Sequence, residues 1–190
     1  MMKSLAKSET AQPASFAGTA FEPIAIVISA SVFVALCARV TLPLPFTPVP
    51  LTLQNFGVLL VGLALGPRRA FAALVLYLLE GAVGMPVFNP AGPGGIAQLV
   101  GPTGGYLMTY PLVALVAGFG AGDAKHFGRT LLASIGAEVL LFAGGIAWFS
   151  LVAHMPAAKA LSFTVYPFAF AEIIKIMTAS ALAPRVRRFV

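Results

Sequence analysis

Residues 166 to 180 read YPFAFAEIIKIMTAS, a run dominated by apolar side chains that nevertheless carries Glu172 and Lys175 midway. The run has the length and oiliness of a membrane helix, and a three-residue spacing puts both charges on one helical face. A charge at the centre of such a span costs about 2.5–3.5 kcal/mol, whereas an i,i+3 ion pair returns about 0.2–0.5 kcal/mol in water. The pair does not offset its own insertion. Its face therefore meets something more, either a neighbouring helix or a ligand.

The rest of the chain has the same character. Of 190 residues 59% are hydrophobic and 9% charged, with a mean hydropathy of +0.94, against an apolar share of about one half in soluble domains. The expected class is an all-α integral membrane protein, embedded in a lipid bilayer. Spans of about 20 residues fit about six times, leaving no room for a separate soluble domain. Residues 1–23, polar and rich in small residues, read as a cytoplasmic tail, 24–183 as a single six-helix membrane domain, and 184–190 as a basic cytoplasmic tail. The tail's polarity argues against a cleaved leader. The single cysteine, Cys37, rules out an internal disulfide and reads as a small packed hydrophobe.

Apolar runs bounded by Gly, Pro and charge fall at 24–40, 51–66, 69–84, 105–122, 130–152 and 164–183. Sorting the basic residues by alternate connections places Lys3, Lys7, Arg68, Arg69, Lys125, Arg129, Arg185, Arg187 and Arg188 on one side, nine of the twelve. Arg39 and Lys159 fall opposite, and Lys175 lies within a span. By the positive-inside rule both termini are cytoplasmic. The net charge of +6 is thereby explained by topology, without nucleic acid. Outer loops one and three are then long: LPLPFTPVPL (42–51) and GMPVFNPAGPGGIAQLVGPTGG (84–105), both rich in Pro and Gly. A connection of the second one's length is usually functional, so it reads as a wall or lid over a cavity. A third, HMPAAKALSF (154–163), is shorter.

No GxxxxGK[ST], HExxH or GxSxG motif occurs, so neither ATP hydrolysis, metalloprotease nor serine-esterase chemistry is expected, and no catalytic residue is assigned. His126 and His154 fall on opposite sides, which argues against a shared metal. GPTGGY (101–106) lacks a following Lys and is not read as a phosphate loop. Gly62 with Gly66, Gly118 with Gly122, and Ser31, Ala35 and Ala38 form small-residue rows that let helices approach closely; the last row serves either internal packing or a face for another protein. Glu138, central in the fifth span, joins Glu172 and Lys175 as an intramembrane charge. Two readings stay open: a salt bridge from Lys175 to Glu138 or Glu172 that locks helices, or a polar recess for a ligand.

The segments LPLPFTPVPLTLQNFGVLLVGLALGPRRA (42–70), YLLEGAVGMPVFNPAGPGG (77–95), LVGPTGGYLMTYPL (99–112) and PFAFAEIIK (167–175) resemble, in order and spacing, the BioY family, the biotin-binding S components of energy-coupling-factor (ECF) vitamin transporters. The resemblance implies a non-enzymatic six-helix protein of the bacterial cytoplasmic membrane that captures biotin from outside. It would work with a transmembrane T component and two cytoplasmic ATPases, ATP being used only on those partners and no cofactor on this chain. It further implies that the first-span row Ser31, Ala35 and Ala38 docks the T component.

For the site, the resemblance implies that Glu172 and Lys175 meet the ureido group of biotin, with Asn89 or Gln54 assisting. Tyr106, Phe88, Pro86 and Tyr77 would wall the rings, and Gly104 and Gly105 would let backbone approach the ligand. Glu172 stands where the family usually has Asp, one methylene shorter. Gln54 could instead cap the second span, Asn89 make a turn before Pro90, and the tyrosines sit at the interface. Glu80 reads as a cavity residue or an interfacial charge, the latter being favoured. A stand-alone ion- or proton-coupled carrier using Glu138, Glu172 and Lys175 is the alternative.

Overall fold

The structure, a computed structural model, describes residues 16–189. Helix α1 runs from Phe16–Arg39 and passes through Pro23, so it begins at Phe16 rather than at residue 24; Ala17 and Ala20, good helix formers, extend it backwards. The rest of the expected tail, residues 1–15 with Lys3 and Lys7, lies outside the described residues. The chain continues through α2 (Gln54–Leu65), α3 (Pro67–Ala82), α4 (Gly95–Val100), α5 (Gly104–Ala121), α6 (Phe127–Val152), α7 (Ala157–Thr164), α8 (Ala169–Val186) and a 3-10 turn, Arg187–Phe189. Outer loop one folds back as a hairpin whose ladder is two residues long, β1 (Thr41–Leu42) antiparallel to β2 (Leu51–Thr52).

Among the described residues three helical segments suffice by length and composition to cross a bilayer, Glu22–Arg39, Gly104–Ala121 and Phe127–Val152, and α7 with α8 makes a fourth that bends by 66°. Helix α2 has only 12 residues, about 18 Å at 1.5 Å per residue against a hydrocarbon core of about 30 Å. Apart from Thr164, the last residue of α7, the sixth expected run, 164–183, is helical only from residue 169, in α8. α7 starts earlier, in the loop read as 154–163, and α8 begins after a break at 165–168. Loop three likewise holds a helix of its own, α4.

Helix α5 is the central element, packed against α2, α3 and α6. Small residues set these approaches. A Cβ on Gly62 would lie 2.8 Å from the Ala114 carbonyl oxygen and 2.9 Å from the Ala117 Cβ, so α2 meets α5 nearly backbone to backbone. Their row partners Gly66 and Gly122 do something else: with φ of 76° and 58° they terminate helices in a conformation that favours glycine. Pro67 then opens α3, where a missing N–H is harmless. Arg187, expected in a free tail, donates from Nη1 to the Leu63 carbonyl at 3.3 Å, satisfying an orphan acceptor at the end of α2.

The row on α1 is internal. Ser31 and Ala38 are fully buried and Ala35 is partly buried, because this face packs on α2 and α3. Ser31 donates from Oγ to Glu80 Oε2 at 2.5 Å. The row expected to dock a T component thus faces the bundle interior in the isolated chain, and Glu80 is a half-buried hydrogen-bond acceptor between α1 and α3. The exposed stripe of α1 is Ile24, Ile28, Val32 and Leu36.

Candidate ligand-binding site

Four elements meet beneath loops one and three. The hairpin of loop one supplies Val49, Pro50, Leu51 and Thr52; α2 supplies Gln54 and Asn55; α5 supplies Tyr106 and Tyr110; α8 supplies Glu172. Together with Asn89, Phe142, Thr164 and Phe168 they enclose a cavity of about 40 Å³.

Glu172 Oε1 is the hub. It accepts from Lys175 Nζ at 2.7 Å and from Asn55 Nδ2 at 3.3 Å, and Asn55 Oδ1 in turn accepts from the Tyr110 hydroxyl at 3.0 Å. Glu172 and Lys175 are 5% and 7% exposed, so this is a buried, charge-assisted chain running through α8, α2 and α5. The first turn of α8 carries Glu172, which favours a carboxylate there because the helix N-terminus is the positive end. Lys175 lies on the far side of Glu172 and lines a separate cavity of about 230 Å³ with Val40–Leu42 and Leu51–Leu53 of the hairpin base.

The expected residues divide. Gln54, Asn89, Tyr106 and Glu172 line the cavity. Gln54 is no cap: its Nε2 donates to the Tyr77 hydroxyl at 2.7 Å. Asn89 lines the cavity and also makes a turn, its Oδ1 accepting from the Ala91 N–H at 3.2 Å. Tyr106 is buried and donates to the Thr164 carbonyl at 3.0 Å, which ties α5 to the end of α7.

Tyr77 and Phe88 stand behind the wall. Tyr77 donates to the Val87 carbonyl at 3.0 Å, and the two rings meet edge-on at 5.4 Å, so they hold the start of loop three against α3 without lining the cavity. Pro86 is exposed at the surface of that loop. Gly104 and Gly105 approach protein rather than cavity: a Cβ on Gly104 would strike the Leu99 carbonyl, and one on Gly105 the Trp148 side chain. Those clashes are what bring α5 onto α4 and α6.

Asn55 and Tyr110, with Thr52, Thr103 and Thr164, are polar residues of the site that the sequence left unmarked. A signal existed for Tyr110, which lies one turn after Tyr106 and so on the same face. Asn55 had none, being merely the next residue after Gln54. Glu138 is 4% exposed, lies on α6 against α8, and neither of its oxygens has a hydrogen-bond partner among the described residues.

A sequence model of the BioY family matches residues 7–190. The chain belongs to the BioY family. Among curated relatives it is 40% identical over 141 residues, 74% of this chain and 82% of the other, to a probable biotin transporter BioY of Pyrococcus horikoshii. It is 35% identical over 163 residues, 85% of this chain and 95% of the other, to the biotin transporter BioY of Thermotoga maritima. The fold superposes with a TM-score of 0.82 and 22% identity on the crystal structure of an S component for biotin from an ECF-type ABC transporter, covering 94% of this chain and 95% of that one. As a BioY family member, the chain is a multi-pass membrane protein.

Proposed function

We infer that this BioY family member captures biotin and moves it across the cytoplasmic membrane as the S component of an ECF-type importer, itself a transport subunit and not an enzyme. The buried Glu172–Lys175 pair, whose glutamate lines a small cavity with mixed polar and aromatic walls, carries the reading. Biotin offers a ureido group with two N–H donors and one carbonyl, a thioether ring that is apolar, and a valerate ending in a carboxylate. A carboxylate with free lone pairs accepts the N–H groups, the amides of Gln54 and Asn55 complement the carbonyl, and Tyr106, Phe142 and Phe168 enclose the rings. Lys175 acts from behind as the counter-charge paired with Glu172 at 2.7 Å.

Six spans with both termini cytoplasmic complete the reading; the basic residues at alternate connections support it. Turnover would come from a transmembrane T component and two cytoplasmic ATPases, consistent with the lack of a phosphate-loop motif in this chain. Calorimetry with biotin on the purified protein tests the site: tight binding by the wild type that is lost in Glu172→Ala and Lys175→Ala supports it. Absence of wild-type binding sinks the ligand. Uptake by the lone protein in liposomes, driven by a proton gradient, would instead favour a stand-alone carrier.

A further inference from the structure

At the far end of α2 from Gln54 and Asn55, a groove of about 610 Å³ opens between α1 and α2. Ile26, Ala30 and Phe33 form one wall, Leu60 and Leu65 the other, and Val186 of α8 closes it. The lining is apolar apart from Ser29 and Glu22, and Glu22 begins the stretch of α1 that is apolar enough to cross a membrane. The groove therefore runs from headgroup level into hydrocarbon depth, where only an apolar occupant is at home. Its size falls within the roughly 300–1,000 Å³ of small-molecule sites.

Between Val186 and the next residue, Arg187, α8 passes from this groove to a charged cavity of about 580 Å³ lined by Arg187, Arg188, Lys125 and Asp123. Arg187 is half-buried. Its Nη1 donates to the Leu63 carbonyl at 3.3 Å, and its Nη2 lies 3.9 Å from where a Cβ on Gly66 would stand. The guanidinium is thus held against the end of α2, the helix whose Leu65 walls the groove. Asp123 is engaged, its Oδ2 lying 3.8 Å from Lys125 Nζ, whereas neither Arg187 nor Arg188 has a carboxylate at ion-pair distance among the described residues. Arg68 and Arg69, exposed at the start of α3 just after Gly66, extend the positive charge.

We propose that this end of the bundle binds one anionic phospholipid, with an acyl chain in the groove between α1 and α2 and the phosphodiester on Arg187 and Arg188. A basic pocket at helix ends, adjoining an apolar groove, presents a headgroup and its chain with complementary surfaces. Guanidinium groups match phosphate oxygens through paired hydrogen bonds, and the Leu63 carbonyl takes only one of the five N–H donors of Arg187. Charge decides the class of lipid: the arginines without a carboxylate partner outnumber Glu22, the one carboxylate of the groove. Glu22 opposes an anion and suits the ammonium of a zwitterionic headgroup, which gives the test a sign. The proposal is independent of the biotin reading.

The test is native mass spectrometry of the full chain in detergent, titrated with phosphatidylglycerol, phosphatidylethanolamine, phosphatidylcholine or glycerol 3-phosphate, the last having the phosphate without the chains. Phosphatidylglycerol should bind about tenfold or more tighter than phosphatidylcholine, and glycerol 3-phosphate should not bind detectably. Arg187→Gln and Arg188→Gln should each weaken phosphatidylglycerol by about fivefold and leave phosphatidylcholine unchanged. Arg188 is exposed and takes no part in the Leu63 contact, so its variant decides the matter should Arg187→Gln unfold. Ser29→Trp, from an exposed position on the groove wall, should fill the groove and weaken both lipids, while Glu22→Gln should tighten phosphatidylglycerol. Equal affinity for the two lipids, or a preference that both arginine variants keep, overturns the proposal. Tightest binding of phosphatidylethanolamine, weakened by Glu22→Gln, assigns the site to a zwitterion instead. Tight glycerol 3-phosphate binding makes it a site for a soluble anion. Full lipid binding by Ser29→Trp takes the chain out of the groove, and if that variant also fails to co-purify with the transporter's other subunits, the groove belongs to a protein partner.

Discussion

Lys175 Nζ and Glu172 Oε1 lie 2.7 Å apart, one turn apart on α8, both more than nine-tenths buried, and only the glutamate lines the enclosed cavity. In the proposed site the lysine therefore works through its partner. Removing it strands a buried carboxylate, a loss of about 3–5 kcal/mol for a broken buried pair. Lys175→Ala and Glu172→Ala should each lower thermal stability, and the double variant should be more stable than the sum of the two losses predicts. Biotin binding should nevertheless fall by about 10- to 100-fold or more in all three, since charge-assisted hydrogen bonds contribute about 1.5–3 kcal/mol. Thermal unfolding and calorimetry on the same samples separate the effects: binding that returns in the double variant would make the pair a structural lock only.

Asn55 has its two ends fixed by different helices, donating to Glu172 Oε1 and accepting from the Tyr110 hydroxyl. Tyr110→Phe deletes that donor with little change in volume, leaving Asn55 Oδ1 without its phenolic donor. The expected cost is about 1 kcal/mol, near fivefold in biotin affinity. Asn55→Leu should cost more, because both Tyr110 and Glu172 then lose a partner. Equal affinity in Tyr110→Phe and the wild type would show that the chain does not orient the site.

The legible part of this molecule is what hydrophobicity and a short motif can carry. The helices α1, α2, α3, α5, α6 and α8 overlie the expected apolar runs, and Glu172 with Lys175 stood out because a charge amid YPFAFAEIIKIMTAS needs a reason. Details that depend on which way a helix is turned were not legible. Ser31, Ala35 and Ala38 look alike whether the row faces lipid, a partner or α3, and only the position of Glu80 decides it. Gly104 and Gly105 were read as ligand contacts because a glycine marks close approach without naming what approaches; here it is Leu99 and Trp148. The break between α7 and α8 falls at Pro167, a helix-breaking signal that the apolar run around it masked.

The cavity of about 40 Å³ is far below the roughly 300–1,000 Å³ of small-molecule sites, so a ligand of biotin's size requires its wall to yield. The hairpin of loop one is a wall held by a ladder only two residues long. Its far end is fastened by Thr47, whose Oγ1 donates to the Phe163 carbonyl at 2.7 Å. Thr47→Val keeps the shape and removes that bond, and bound biotin should dissociate about fivefold faster, the kinetic equivalent of about 1 kcal/mol. Stopped-flow displacement measures it. An unchanged off-rate would place the yielding wall elsewhere, with loop three the next choice.

Ala38 lies at the interface of α1 with its neighbours and is fully buried. A larger side chain there overpacks the bundle, at about 1–3 kcal/mol. Ala38→Leu should therefore lower the unfolding temperature of the isolated protein, while Leu36→Ala, on the exposed stripe at 63% exposure, should leave it nearly unchanged. The contrast is informative because the other role for this row makes the opposite forecast. Were Ala38 part of a face that opens to a T component, Ala38→Leu would leave the isolated subunit's stability intact and abolish assembly in a pull-down with the transporter's other subunits. Measuring both properties on both variants assigns the row to the interior of the bundle or to its partner.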